Sequence, residues 1–220
     1  MERQMRGEGR GDKGIHARSE RRRQSDRTAE SRNKLIQAAI SLLSTNGYSG
    51  TTLAEIGRVS GLSRSLATFH FGSKEQIMVA VVESTRKALS DHLAASGKIR
   101  GMSALDLMID SYLLGDSETA RSIRAMYVII VESFTSSPGL QGAVVQNNAM
   151  FRRLVSNWIR EAVDDGEITF NGDPDSVATV IEGLLRGVLI QHLVDPEAID
   201  LQCISTLSKR IVRDHLHSAK

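Results

Sequence analysis

Between residues 46 and 76 the chain is punctuated every few residues, by Asn46-Gly47, Thr51-Thr52, Gly61, Ser63, Gly72 and Ser73. Glycine ends helices because it enters the left-handed region freely, and Ser or Thr begins them by accepting a bond from a first-turn N–H. This spacing leaves room for two short helices, one between Thr52 and Gly61 and one between Ser63 and Gly72. Helices that short are marginal in water and must pack against neighbours. Thr52 with Glu55, and Ser73 with Gln76, have the spacing of capping boxes. Leu53, Ile56 and Val59 line one face of the first short helix, and Leu62 and Ala67 back the second. Gly57 stands four residues before Gly61, and its missing side chain permits close approach of the pair. The expected unit is a helix-turn-helix that presents its second helix outward.

The flanking segments read as helix. From Thr28, apolar residues recur at three- and four-residue steps (Leu35, Ile36, Ala39, Leu42, Leu43) until Asn46-Gly47. Ser73 opens a long helix to about residue 98, and further helices are expected over 103–114, 118–136, 140–165, 174–194 and 196–217. Their breaks fall at Gly115-Asp116, Pro138-Gly139, Gly166 and Asn171-Gly172, and Pro138, Pro174 and Pro196 all sit at boundaries. Ile168-Thr169-Phe170 is too short to found a sheet. The fold class is therefore all-α: an N-terminal three-helix helix-turn-helix domain joined by a long helix to a second helical domain. Three regions are expected: a disordered basic arm over 1–27, the helix-turn-helix domain over 28–80, and the helical domain over 81–220.

Charge divides the chain. Residues 1–34 carry eleven Lys/Arg against six Asp/Glu, whereas the whole protein has a formal net charge of only +2. A positive end on a chain otherwise balanced or negative suits an anionic partner, nucleic acid foremost. The uninterrupted apolar run at Met126–Val131 is far below the ~20 residues of a membrane helix. The N-terminal arginines have no apolar stretch behind them, and Cys203 stands alone, which excludes an intrachain disulfide or a multi-cysteine metal site. A cytoplasmic protein with no membrane partner is expected.

The outward residues of the second short helix are Ser63, Arg64, Ser65, Thr68 and Phe69. Short hydroxyls beside an arginine suit close entry into a DNA groove, with bonds to phosphates and base edges. The run Thr51-Thr52-Leu53, Ile56-Gly57, Ser60-Gly61-Leu62-Ser63-Arg64 and Phe69-His70-Phe71-Gly72-Ser73-Lys74-Glu75 resembles the DNA-binding domain of TetR-family transcriptional regulators. The close match covers residues 31–80. A tyrosine common in that family near the end of the recognition helix is replaced by Phe69. The resemblance implies that Thr51 or Thr52, His70 and Lys74 touch phosphates, while Arg64, Ser65 and Thr68 reach bases or adjacent phosphates. It also implies a homodimer through the last two long helices, and a small-molecule effector that releases a repressor from a near-palindromic double-stranded operator.

In the second domain Val177, Ile181, Leu184, Leu185, Val188 and Leu189 form one apolar stripe, and Ile204, Leu207 and Ile211 another. Gly183 and Gly187 have the spacing for close helix approach at a dimer interface. An effector pocket would draw on Met108, Tyr112, Met126, Tyr127, Phe134, Met150 and Trp158, adaptable and mostly apolar residues. Glu132 ends an all-round apolar segment and is costly there unless paired. Arg152, Arg153 and Arg186 are its candidate partners, with a ligand contact as the alternative. With one Trp, three Tyr and five Phe in the chain, an aromatic cage for a quaternary ammonium ligand is not expected.

Enzymatic function is the distant alternative. The sequence has no glycine-rich phosphate loop, metal-spaced His/Asp/Glu set or nucleophile motif, and His215 and His217 fall on different helical faces. No enzyme activity and no cofactor are expected. A ligand-independent activator or architectural DNA-binding protein is the nearer rival to a ligand-released repressor.

Overall fold

The computed structural model describes residues 11–95, 97 and 99–218. Among them it has nine α-helices and one short 3-10 turn, and no strand: α1 (Gly11–Asn46), α2 (Leu53–Val59), α3 (Arg64–Phe71), α4 (Lys74–Ala95), α5 (Gly101–Leu114), α6 (Ser117–Phe134), the turn Pro138–Leu140, α7 (Gln141–Asp164), α8 (Pro174–Val194) and α9 (Leu201–Ser218).

The expected caps form. Thr52, Ser63 and Ser73 each accept a bond from the N–H three residues on, at 3.1–3.2 Å. One half of the first capping box does not: the Glu55 carboxylate turns to Arg58 at 2.8 Å instead of back to Thr52. Gly61 sits at φ 70° and Gly72 at φ 72°, so each turn uses backbone that a side chain would strain. At Gly57 the requirement is space. A Cβ there would lie 2.9 Å from the backbone of both Ser63 and Arg64, so α2 and α3 meet backbone to backbone.

Three expectations about boundaries are corrected. The arm expected to be disordered over 1–27 lies partly outside the described residues, but from Gly11 the backbone is helical and continuous with the rest of α1. Once the apolar face of α1 is packed, each further residue extends an existing helix, and Arg, Glu, Gln and Ala in this stretch favour extension. The last helix begins at Leu201, not 196. Asp200, which accepts bonds from the Gln202 and Cys203 N–H groups, is its start, and Asp195 holds the preceding turn through Ala198. Helix α5 starts two residues early because Glu167, in the segment after α7, accepts from the Met102 N–H at 3.1 Å.

Two apolar cores result. The first packs α1 (Leu35, Ile36, Ala39, Leu43) against Ile56, Ala67 and Phe71 of the helix-turn-helix, the first turns of α4, and Ala125, Met126 and Ile129 of α6. The second joins α5, α7, α8 and α9 around Leu105, Ile109, Trp158, Ile159, Ile181 and Leu185. Helix α8 is by length and composition apolar enough to cross a membrane, yet Ala178, Ile181, Leu185 and Leu189 face this core and Glu182 is buried in it. The stripe expected on the last helix is corrected. Leu207 and Ile211 are exposed, while Ser205, Ser208, Val212 and Leu216 face inward. The cause is polar: Asp110 of α5 accepts from Ser205 at 2.5 Å and Lys209 at 2.8 Å, and Asp106 pairs with Arg213, which sets the rotation of α9.

Replacing Gly57 with alanine should cost about 1–3 kcal/mol, the usual range for overpacking against atoms that cannot swing aside. Thermal unfolding of Gly57→Ala beside the wild type measures this, and operator affinity should fall with it.

Candidate nucleic-acid interface and effector cavity

Helix α3 buries Ala67 and Phe71 and leaves Arg64, Ser65, Thr68 and Phe69 exposed on its other side, with Ser63 exposed at its N-cap. Phe69 is the extreme case, 79% exposed. Thr68 donates to the Arg64 carbonyl at 3.1 Å, which holds its methyl and oxygen in a fixed orientation. His70 is half-buried, its ring packed against Phe69 and Phe71 at centroid distances of 5.5 and 6.1 Å. The exposed Arg32 of α1 stacks on Phe71 at 5.1 Å, which places a guanidinium at the end of α3. Arg32 was not foreseen from the sequence, because nothing local to it signals that α1 passes the end of α3. Thr52 is exposed at the start of α2.

Of the residues expected at phosphates, Thr51 and Lys74 have partners inside the protein, and of the pair Thr51 or Thr52 it is Thr52 that is exposed. Thr51 is fully buried and its hydroxyl donates to the Gly47 carbonyl at 2.7 Å, so it locks the α1–α2 turn. Lys74 is also turned inward. Its ammonium donates to the Tyr48 carbonyl at 2.6 Å and lies 3.8 Å from the centroid of the Tyr48 ring. Burial lowers the Lys74 pKa, and the charge of Glu132 on α6 opposes that shift. This attraction is also what Glu132 does. The partners expected for it, Arg152 and Arg186, hold Glu182 instead. The Tyr48 hydroxyl in turn accepts from Ser137 Oγ, in the turn after α6, at 3.0 Å. Lys74, Tyr48 and Ser137 thus form a polar joint between the helix-turn-helix and the turn after α6, whose Ser137 N–H is also held by the Glu132 carbonyl.

A cavity of about 680 Å³ lies between α4, α5, α6, α7 and α8. Met108, Tyr112, Met126 and Met150 line it with Leu89, Ile123 and Phe151. The other expected residues do not. Trp158 is 9% exposed in the second core, Phe134 is 69% exposed on the surface, and Glu132 belongs to the joint. Tyr127 lies behind Tyr112, their hydroxyls 3.0 Å apart. Burial raises the pKa of both, so both phenols stay neutral. The sequence reading missed Thr85, Glu182 and Arg186, which also line the cavity. Glu182 was legible only as a carboxylate on an apolar stripe. Among the described residues no cluster of His, Cys, Asp and Glu is arranged to hold a metal ion.

Residues 35–81 match the family described as bacterial regulatory proteins of the tetR family, and residues 102–218 match the BetI-type transcriptional repressor C-terminal family. The chain belongs to the TetR family. As a TetR-family protein it is a DNA-binding transcriptional regulator and not an enzyme. It is similar to the HTH-type transcriptional regulator SrpR of Pseudomonas putida, 27% identical over 166 residues, which covers 74% of this chain and 76% of that one. It is 24% identical over 189 residues to the regulator BetI of Rhizobium meliloti, covering 85% and 90%. The fold is that of a TetR-family regulator from a Rhodococcus species (TM-score 0.77, 17% identity, 86% and 100% covered). It is also that of a regulator from Saccharomonospora viridis solved in complex with choline (0.73, 19%, 86% and 97%) and of SmeT solved with triclosan (0.69, 22%, 83% and 90%).

Lys74→Met should lower stability by about 1–3 kcal/mol, because it removes a charge-assisted bond to the Tyr48 carbonyl and the cation–ring contact beside it, and so breaks the joint. It should leave the salt dependence of DNA binding unchanged, whereas loss of a phosphate-bound lysine reduces the slope by about one. Urea denaturation and operator titrations at several salt concentrations check both parts.

Proposed function

We propose that this protein is a repressor that binds a near-palindromic operator as a homodimer, one α3 in each of two major grooves, and is released when a small, largely apolar molecule fills the cavity. The observation that carries the reading is the bare face of α3. An aromatic side chain 79% exposed beside Arg64, Ser65 and Thr68 is explained by a surface that covers it, and a thymine methyl or deoxyribose suits Phe69 while Arg64 suits guanine or phosphate. Thr52, Ser63 and His70, at the ends of the two short helices, are placed to meet phosphates. A helix as short as α3 reads few base pairs, so specificity requires a second copy. The operator module is residues 28–80, and residues 81–220 carry the effector site and the dimer contact.

The dimer surface is argued from α8. Val180, Gly183, Gly187, Ile190 and Val194 recur at steps of three and four; the Val and Ile residues are 50–82% exposed, and a Cβ at either glycine would meet nothing within 4 Å. An apolar stripe with a flat centre, joined by the exposed Leu207 and Ile211 of α9, suits an identical stripe across a twofold axis.

Effector control follows from what the cavity touches. Met126 lines it and also belongs to the core that holds α1 and the helix-turn-helix, and Thr85, Arg86 and Leu89 of α4 line it on another side. A ligand that binds one arrangement of α4 and α6 better than the other changes the spacing of the two α3 helices through that shared core and the Lys74–Tyr48–Ser137 joint. Coupling of about 1–3 kcal/mol corresponds to a 5–150-fold change in operator affinity. The complexes with triclosan and with choline show that two proteins of this fold take small molecules, which supports the reading.

Arg64→Ala should weaken specific binding by about 1–3 kcal/mol with little effect on random DNA, measured by competitive titration. Gly187→Leu, which fills open space on α8, should give a folded monomer that no longer protects an inverted repeat. A monomeric wild type, or a footprint without twofold symmetry, would overturn the dimeric reading. Ser137→Ala should leave effector affinity for the free protein intact while narrowing the gap between effector affinities measured with and without operator.

A further inference from the structure

The core-facing stripe of α1 continues beyond the core. At 3.6 residues per turn the buried Ile36, Ala39, Ile40 and Leu43 share an arc of about 120° around the helix. Followed toward the N-terminus, the same arc holds Arg32, Thr28, Ser25, Arg22, Arg21 and Arg18. The acidic residues of this part of the helix, Asp12, Glu20, Asp26 and Glu30, all fall outside it, and Glu30 pairs at 2.7 Å with Lys34, which is also outside. The packing that covers the first part of the stripe has ended here: residues 24–30 and 32–34 are exposed, and burial begins at Leu35. One face of α1 therefore changes from apolar to basic where the protein stops covering it.

Arg32 fixes where the basic part leads. Its guanidinium lies 5.1 Å from the centre of the Phe71 ring, at the end of α3. Helix α1 thus passes that end and continues beyond it, with the stripe on the side of α1 that meets Ile56, Ala67 and Phe71 of the helix-turn-helix. From Arg32 to Arg18 the helix spans about 21 Å, the length of about six base pairs of duplex. A duplex seated on α3 runs past the end of that short helix, and its phosphates are regularly spaced anions. A lipid surface is a poor match, because Ile15, Ala17 and Ala29 are the apolar residues of segment 11–31 and form no face to bury.

We propose that the N-terminal extension of α1 is a second DNA-binding element, whose arginine stripe tracks the phosphates of duplex DNA beyond the base pairs that α3 reads. The contact is electrostatic and without sequence preference, so it adds reach and salt dependence while specificity stays with α3. The inference rests on α3 being the helix seated in the groove, which Arg64→Ala tests separately.

The test uses the full chain, titrated by fluorescence anisotropy over a range of salt concentrations. The probes are a random-sequence duplex several helical turns long and a single-stranded RNA of equal length. Two triple variants remove the same charge from the same helix: Arg18→Ala/Arg21→Ala/Arg22→Ala from the stripe, and Lys13→Ala/Arg23→Ala/Arg27→Ala from outside it. The stripe variant should weaken duplex binding about tenfold or more at low salt and reduce the slope of log affinity against log salt by about two to three per protomer. The second variant should lose less than half as much, and both should melt at the wild-type temperature. Equal losses in the two variants would overturn the stripe and leave a basic segment with no preferred face. A stripe variant that binds duplex as the wild type does, or one whose melting temperature falls with its affinity, would overturn the DNA contact. Tighter binding of the RNA than of the duplex, lost with the stripe, would overturn it in favour of a different partner.

Discussion

The buried face of α1 is the surface on which the rest of the molecule is assembled. Leu35, Ile36, Ala39 and Leu43 are almost wholly removed from water, and they are covered from one direction by the helix-turn-helix and from another by α6. Apolar burial of this kind is non-directional but close-packed, so neighbours that share it do not shift independently. A helix-turn-helix with its own separate core would bind DNA and ignore the second domain. Here Ile129 of α6 and Ile56 of α2 belong to one core, and DNA recognition and the cavity are mechanically continuous.

Polar groups refine what the apolar core leaves loose. Lys74 is the clearest example. A lysine at a helix start in a DNA-binding segment invites assignment to a phosphate, yet burial against Tyr48 and the Tyr48 carbonyl makes it a brace between α4 and the end of α1. The Ser137–Tyr48 bond and the charge of Glu132 extend that brace to α6. Asp110 does the same for the second domain, holding both Ser205 and Lys209 and so deciding which residues of α9 face solvent.

Two sets of exposed apolar residues differ in their surroundings. Phe69 stands on a polar helix face, where a groove of DNA offers mixed polar and apolar contact. Val180, Ile190 and Val194 stand on a helix whose opposite side is core, where a flat apolar partner is the natural cover. Gly61 and Gly72 supply backbone conformation, while Gly183 and Gly187 supply flatness.

The limits of α2 and α3, the two-helix recognition unit and the outward face of α3 were legible in the sequence because they depend on residues within one turn of each other: a Ser accepting a bond three residues on, a glycine at a positive φ, an apolar repeat of three and four. Only the tertiary structure decided which polar side chains turn inward. Lys74 finds its partner 26 residues away, Ser137 finds its partner 89 away, and Asp110 reaches Ser205 across 95. A helical repeat states which residues share a face but not what that face meets, so the retreat of Thr51 and Lys74 from the DNA surface, the exposure of Phe134, Leu207 and Ile211, and the presence of Glu182 in the cavity wall came from long-range packing alone.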